Sequence, residues 1–295
     1  MDAGAAQPHW RRVAILGVGL IGGSLARVLK AQGAADEIVG CGRQRQNLET
    51  ARQLGIIDQF VLDPVQAVRE ADLVLLGAPV LATAALLAEI APHLAEQAVV
   101  TDVASVKGVV VEAARQQLGE KLARFVPAHP IAGAETSGAA ASRADLFIDH
   151  RVILTPLAQT AADALEQVRA LWRMTGALVE EMPVQRHDQI FAATSHLPHL
   201  LAFTLVNAVA RQGGEAGIIH YAAGGFRDMT RIAASDPTLW HDIFLTNKDA
   251  LLQSLEQFQQ ELEVFRQAIV EDDSAQISKM LLHSRTMRNK LSNSN

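Results

Sequence analysis

A single cysteine in 295 residues, Cys41, excludes an intramolecular disulfide framework. Positive charge is also in short supply. The formal net charge is −6, and no dense Lys/Arg cluster stands against it, which argues against nucleic acid or an anionic lipid surface as partner. Long apolar runs are missing as well. The longest uncharged stretch, Leu73 to Ala88, is shorter than a membrane span and is broken by Gly77 and Pro79, so it reads as strand, turn and helix. The start "MDAGAAQPHWRR" has no basic end followed by an apolar segment, so nothing marks it for export and a cytoplasmic location is expected. What remains is a chain with 49% hydrophobic and 20% charged residues, long enough for about two domains and a large core. Its expected partners are small molecules and a second copy of itself.

The pattern along the chain is one of alternation. "RRVAILGVGLIGGSLARVLKAQG" reads as a strand from Val13 to Leu16, a glycine turn, and a helix ending near Gly33. "DEIVGCGR" is a second strand. "ADLVLLGAP", a helix, "AVVTDVAS" and a helix from about Lys107 to Leu122 follow, and strands separated by helices predict a parallel, doubly wound sheet. "ARFVPAH", "HRVILTP" and "GALVEEMP" are expected to extend that sheet. From Val184 onward only helical patterns occur. The predicted fold class is therefore α/β: a Rossmann-type dinucleotide-binding domain over 10–182, then an all-helical dimerisation and substrate domain over 183–290. The dimer expectation rests on Leu251, Leu255, Phe258, Leu262 and Phe265, which recur at steps of four and three and form one apolar stripe. The polar tail "NKLSNSN" is expected to fray.

Gly17, Gly19 and Gly22 form G-x-G-x-x-G between the first strand and the first helix. The first glycine permits the tight turn, the second lets a pyrophosphate approach the backbone, and the third allows close helix packing; the helix N-terminus then receives the anion. The candidate cofactor positions are Gly17, Gly19, Leu20, Ile21, Gly22, Gly42 and Arg43, with Pro79 and Asp102 at later strand ends. An NAD-selective site usually places an acidic residue about 20 positions on, at the end of the second strand. Gly42 occupies that position, with Arg43 next and Arg45 two further on, so NADP is expected over NAD.

Ligands of an open α/β sheet bind beyond the carboxyl ends of its strands. Ser105 in "TDVASVK" and His129 in "PAHPIAGAETSG" both end strands there. Ser105 serves equally well as a helix N-cap or as a reacting group's partner. His129 has the character of a general base, because an imidazole accepts a proton near neutral pH. Glu135 reads from its surroundings as a solvated loop carboxylate. His196 and His199 in "SHLPHLL" have a metal-like spacing, but Pro198 separates them and no acidic or cysteine cluster supports a metal. "GGFRDMTRIAASDPTLW" sets Arg227, Asp228, Arg231 and Trp240 after paired glycines, a segment suited to an anion.

Taken together, "GVGLIGGS", "DVASVK", "HPIAGAETSG", "SHLPH" and "GGFRDMTRIAASDPTLW" resemble the prephenate/arogenate (cyclohexadienyl) dehydrogenases of tyrosine biosynthesis, in that family's order, from about Arg12 to about Arg285. The resemblance implies oxidative decarboxylation of prephenate or arogenate with hydride transfer to NAD(P). It implies that His129 draws the proton from the substrate's 4-hydroxyl and that Ser105 orients this pair. Arg231 would bind the ring carboxylate, His199 would contact substrate, Glu135 would stand at the pocket mouth, and Asp228 and Trp240 would line that side. Ala134 departs from relatives that carry a hydroxyl there, which leaves prephenate against arogenate open. Two other readings fit the residues less well. A β-hydroxyacid dehydrogenase would need a catalytic Lys in the second half, and the segment from His196 to Val209 has none. A non-catalytic redox sensor would leave Ser105, His129 and Arg231 without a purpose.

Overall fold

The computed structural model describes residues 8–133, 136–213 and 219–292. The chain divides into two compact units, one up to Lys248 and the other from Asp249.

The first unit opens with strands β1 (Trp10–Leu16), β2 (Ala35–Cys41), β3 (Gln59–Val61), β4 (Leu73–Leu76), β5 (Val99–Asp102) and β6 (Phe125–Val126). They form one parallel sheet in the order β3-β2-β1-β4-β5-β6. That order reverses at β1/β4, the crevice where doubly wound sheets take dinucleotides. Helices α1 (Leu20–Ala31), α2 (Arg45–Gln53), α3 (Pro64–Val68), α4 (Thr83–Ile90) and α5 (Gly108–Gln117) connect the strands. Period-two alternation divides β1 between two cores. Val13 and Ile15 pack on the side of α1, and Ala14 and Leu16 on the side of α3, α4 and α5. Cys41 lies inside the second core, where burial pushes its thiol up to about 11 and leaves it inert.

The parallel sheet stops earlier than the sequence suggests. Strands β7 (Ala128–Pro130), β8 (Arg151–Leu154) and β9 (Leu178–Glu181) form a separate three-stranded sheet, with β7 antiparallel to β8 and β8 parallel to β9. The division falls at Pro127, which has no N–H to give to a ladder. Its carbonyl instead accepts from Thr155 N at 3.0 Å. Helix α6 (Ala162–Met174) joins β8 to β9, and its buried Trp172 meets Phe147 edge-on at 5.3 Å between ring centroids.

Helix α7 (Val184–Phe191) runs through a π-helical turn (Ala192–His196) into α8 (Leu197–Gly213). Helices α9 (Gly224–Thr230) and α10 (Pro237–Thr246) follow, and α10 stops before Asn247. The second unit contains α11 (Lys248–Val270) from Asp249 onward and α12 (Ser274–Ser292). The backbone is helical to Ser292, so α12 takes in the first residues of the tail expected to fray, Asn289 to Ser292. Among the described residues no helix is long and apolar enough to cross a membrane.

Candidate active site

The turn between β1 and α1 is tight on two sides and open on the third. Gly17 has φ +114°, and a Cβ there would lie 2.3 Å from Gly77 O at the end of β4. A Cβ on Gly22 would lie 2.5 Å from Gly17 O, so the helix sits directly over the turn. Gly19 is different, since nothing lies within 4 Å of where its Cβ would be. It is the N-cap residue of α1, with no side-chain cap and no acidic residue in the first turn. An opening beside an uncapped, 12-residue helix N-terminus suits a pyrophosphate. Leu20 and Ile21 lean on the core beneath.

At the end of β2, a Cβ on Gly42 would meet only Leu48, at 3.7 Å, and Arg43 is exposed. Arg45 is occupied otherwise: it pairs with Glu49 at 3.7 Å and its guanidinium lies 5.6 Å from the centre of the Phe60 ring. Pro79 is exposed just after β4.

Asp102, at the end of β5, is 1% exposed, and its carboxylate is fully engaged within the protein. It pairs with Lys107 Nζ and accepts from Ala104 N at 2.9 Å and Ala128 N at 3.1 Å. The last bond ties the end of β5 to β7, next to His129. Lys107 is wholly buried and also donates to Ala128 O at 2.7 Å. Ser105 is not the cap of α5. The N-cap position is Lys107, and Asp188 of α7 receives the N–H groups of Lys107 and Gly108 at 2.8 and 2.7 Å. Ser105 is half-buried, and among the described residues its hydroxyl has no hydrogen-bond partner.

His129 lies in β7, 8% exposed, with Nδ1 2.8 Å from His187 Nε2. His187 Nδ1 lies 2.8 Å from Asp188 Oδ1. Phe191, one turn along α7, packs on both imidazoles at ring-centroid distances of 4.8 and 4.6 Å. Burial, followed by the neighbouring His187, Lys107 and His196, holds His129 well below the usual imidazole range, so it is neutral near pH 7.

The π turn places two further imidazoles. His196 is 1% exposed; its Nδ1 meets Asn247 Nδ2 at 3.0 Å and its Nε2 is buried without a partner. His199 Nδ1 donates to Ser195 O at 2.8 Å, and its ring stacks on Trp240 at 3.5 Å and 19°. Burial first, and then the charge of Arg231, lower the pKa of His199, which places the guanidinium within electrostatic reach of that ring. Trp240 packs on Val106, the neighbour of Ser105, and its Nε1 is buried without a partner. Arg231 and Asp228 are exposed. Glu135 and Ala134 lie outside the described residues. Among those residues, no group of three or more His, Cys, Asp or Glu is placed to hold a metal ion.

The family described as "Prephenate dehydrogenase, nucleotide-binding domain" matches residues 25–181, and the one described as "Prephenate dehydrogenase, dimerization domain" matches 183–283. The chain belongs to the prephenate dehydrogenase family. A cyclohexadienyl dehydrogenase of Zymomonas mobilis is 40% identical over 266 residues, 90% of each chain. The solved prephenate dehydrogenase of A. aeolicus, in complex with hydroxyphenyl propionate and NAD+, superposes with a TM-score of 0.90 at 34% identity, covering 99% of this chain and 100% of that one. A Synechocystis arogenate dehydrogenase gives a TM-score of 0.80 at 30% identity, covering 95% and 99%.

In this member of the prephenate dehydrogenase family, four residues at the site escaped the reading of the sequence: Lys107, His187, Asp188 and Asn247. Three carried a visible signal. Lys107 is a lone cation in the apolar stretch "VASVKGVVV", and His187 and Asp188 stand side by side in "RHDQ", near the start of the helical patterns.

Proposed function

We propose that this enzyme oxidatively decarboxylates prephenate or arogenate, with NADP preferred over NAD, and that His129 is its general base. The observation that carries the reading is the buried His129, whose Nδ1 is tied to His187 while no group among the described residues bonds to its Nε2. When bound, the nicotinamide accepts the hydride from ring C4. Gly17, Gly19 and Gly22 hold the dinucleotide at the head of α1, and Gly42 with Arg43 receives the ribose end. Asp102 braces β5 against β7 and does not touch the nucleotide.

His129 takes the 4-hydroxyl proton as the hydride leaves, so that the oxygen's electrons expel the hydride, and the bonding pair left behind as the carboxylate departs as carbon dioxide flows through the ring onto that oxygen. Loss of carbon dioxide and of hydride balances the overall equation without a net proton. His129 therefore returns its proton to the ring oxygen as the phenol forms. Ser105, with its hydroxyl unengaged, orients the 4-hydroxyl. Arg231 holds the ring carboxylate, and His199 on its Trp240 platform contacts the substrate side chain, with Asp228 and Glu135 at the mouth. The location is cytoplasmic. The enzyme works as a homodimer through 183–290; of the apolar stripe on α11, Leu262 is exposed and Leu255, Phe258 and Phe265 are half-buried in the single chain, while Leu251 is already buried.

The test is the absorbance of reduced nicotinamide on mixing protein, oxidised cofactor and either substrate, together with His129→Ala. The variant should bind cofactor normally and lose about 10²- to 10⁴-fold in turnover. Turnover within a few-fold of the parent would remove His129 from its role. A flat trace for the parent with both substrates and both cofactors would overturn the activity itself.

A further inference from the structure

We propose that His187 and Asp188 are positioning residues: they lock His129 in the tautomer whose Nε2 is bare, and they support the imidazolium it becomes. The inference rests on the reading of His129 as the base.

The tautomer follows from the far end of the chain of contacts. Asp188 Oδ1 accepts from Lys107 N at 2.8 Å and Oδ2 from Gly108 N at 2.7 Å. A carboxylate in this position only accepts, so the 2.8 Å contact to His187 Nδ1 requires the proton to be on that nitrogen. Burial would push the Asp188 carboxyl up, but the hydrogen bonds from His187, Lys107 and Gly108 bring it below its ordinary range. The positive end of α5 acts in the same direction. His187 is itself held neutral by burial and by the charge of Lys107, against the pull of Asp188. With its one proton on Nδ1, it offers a lone pair at Nε2. His129 Nδ1 lies 2.8 Å from that lone pair and must donate to it. The second nitrogen of a neutral His129, Nε2, is then unprotonated and able to accept.

The opposite arrangement would require a proton on His187 Nε2 and so a doubly protonated, buried His187. The charged and titratable groups around the pair are Lys107 with Asp102 at the β5 end, His196 in the π turn, and Asp188. Of these, only the carboxylates favour a second proton, and Asp102 is already paired with Lys107. The ring of Phe191 covers both imidazoles and offers neither an acceptor. A proton that is taken and then returned needs no exit to solvent. What His129 needs is a fixed orientation and an anion behind it while it is charged, and Asp188 provides that through His187.

The experiment compares His129→Ala, His187→Phe, His187→Gln and Asp188→Asn. His187→Phe and Asp188→Asn should each lower kcat by about 10²-fold, the upper end for loss of a supporting partner, and by up to about 10⁴-fold if the wrong tautomer takes over, with KM within about three-fold. In Asp188→Asn the acid limb of the kcat profile should move to lower pH, because the imidazolium loses its anion. His187→Gln keeps both backbone contacts of Asp188 and supplies an amide oxygen to His129 Nδ1, so it should recover most of the lost rate. In ¹⁵N-histidine spectra of the parent protein, the two signals missing from His129→Ala should be a protonated Nδ1 and a bare Nε2. A protonated Nε2 in the parent would overturn the proposal even if a variant failed to fold. So would variants with the parent's kcat and pH profile while His129→Ala is inactive. An active His129→Ala would instead remove the base reading on which the proposal stands.

Discussion

Replacing Lys107 with Met tests how the floor of the site is built. The ammonium sits at 0% exposure against Asp102 at 1%. Met matches the apolar stem and removes only the charge and its donors. Asp102 would keep two bonds, from Ala104 N at 2.9 Å and Ala128 N at 3.1 Å, and Ala128 O would lose its 2.7 Å donor. A carboxylate left buried without its counter-charge costs about 3–5 kcal/mol, a large share of the ~5–15 kcal/mol by which a domain is stable. The two surviving backbone bonds place the expected loss near the lower end, about 3 kcal/mol. Urea unfolding followed by the fluorescence of buried Trp10 and Trp172 measures it. Adding Asp102→Asn should recover at least about 1 kcal/mol, because the orphaned charge is then gone. A single-variant loss below about 1 kcal/mol, or a double variant worse than the sum of the two singles, would refute the assignment of a buried, mutually dependent pair. The catalytic signature is separate. Burial, His187 and then Lys107 hold the His129 pKa down, so Lys107→Met should raise it and move the acid limb of kcat/KM to higher pH.

Other expectations concern acid stability and the cofactor. Burial lowers His196 from 6.5 to about 4, so the unfolded chain binds one more proton between those values. The sign is therefore a stability that is complete above about pH 6.5 and falls by about 3 kcal/mol for this residue as pH drops to about 4. His196→Phe should flatten unfolding free energy against pH over that window, and an unchanged slope would count against the assignment. At the ribose end, Gly42→Asp meets only ordinary contact with Leu48 and should reverse a parental preference for NADP in kcat/KM. Arg43→Ala should weaken NADP alone, by roughly ten-fold. A parent that uses NAD as well as or better than NADP would mean that the backbone alone holds the ribose.

What the sequence revealed and what it hid follow from how far each feature reaches along the chain. The β1–turn–α1 unit was legible because its determinants are local: a strand-period run, three glycines and a helix-period run within about two dozen residues. The register of the later strands was not. Val126 and Ala128 are two residues apart, yet they belong to different sheets, because Pro127 interrupts the ladder and β8 offers an antiparallel partner. No local pattern in "ARFVPAH" contains that choice.

The same contrast separates His129 from its supports. His129 could be picked out because "ARFVPAH" reads as a strand that ends on it, although the residue proves to lie in the middle of β7, in the second sheet. His187 lies 58 positions away in a helix that looked like any other, and it matters only because α7 brings it and Asp188 to the head of α5. The approach is close, since a Cβ on Gly108 would lie 2.9 Å from Asp188 Oδ2 and would push that carboxylate away. One carboxylate thereby serves as both the cap of α5 and the anchor of the histidine pair. The cap that the sequence offered locally was Ser105. Because Asp188 caps the helix from outside, the hydroxyl of Ser105 is not drawn into the head of α5, and among the described residues it has no hydrogen-bond partner. The supply of a cap from a distant helix is thus what leaves that hydroxyl open to the role proposed for it.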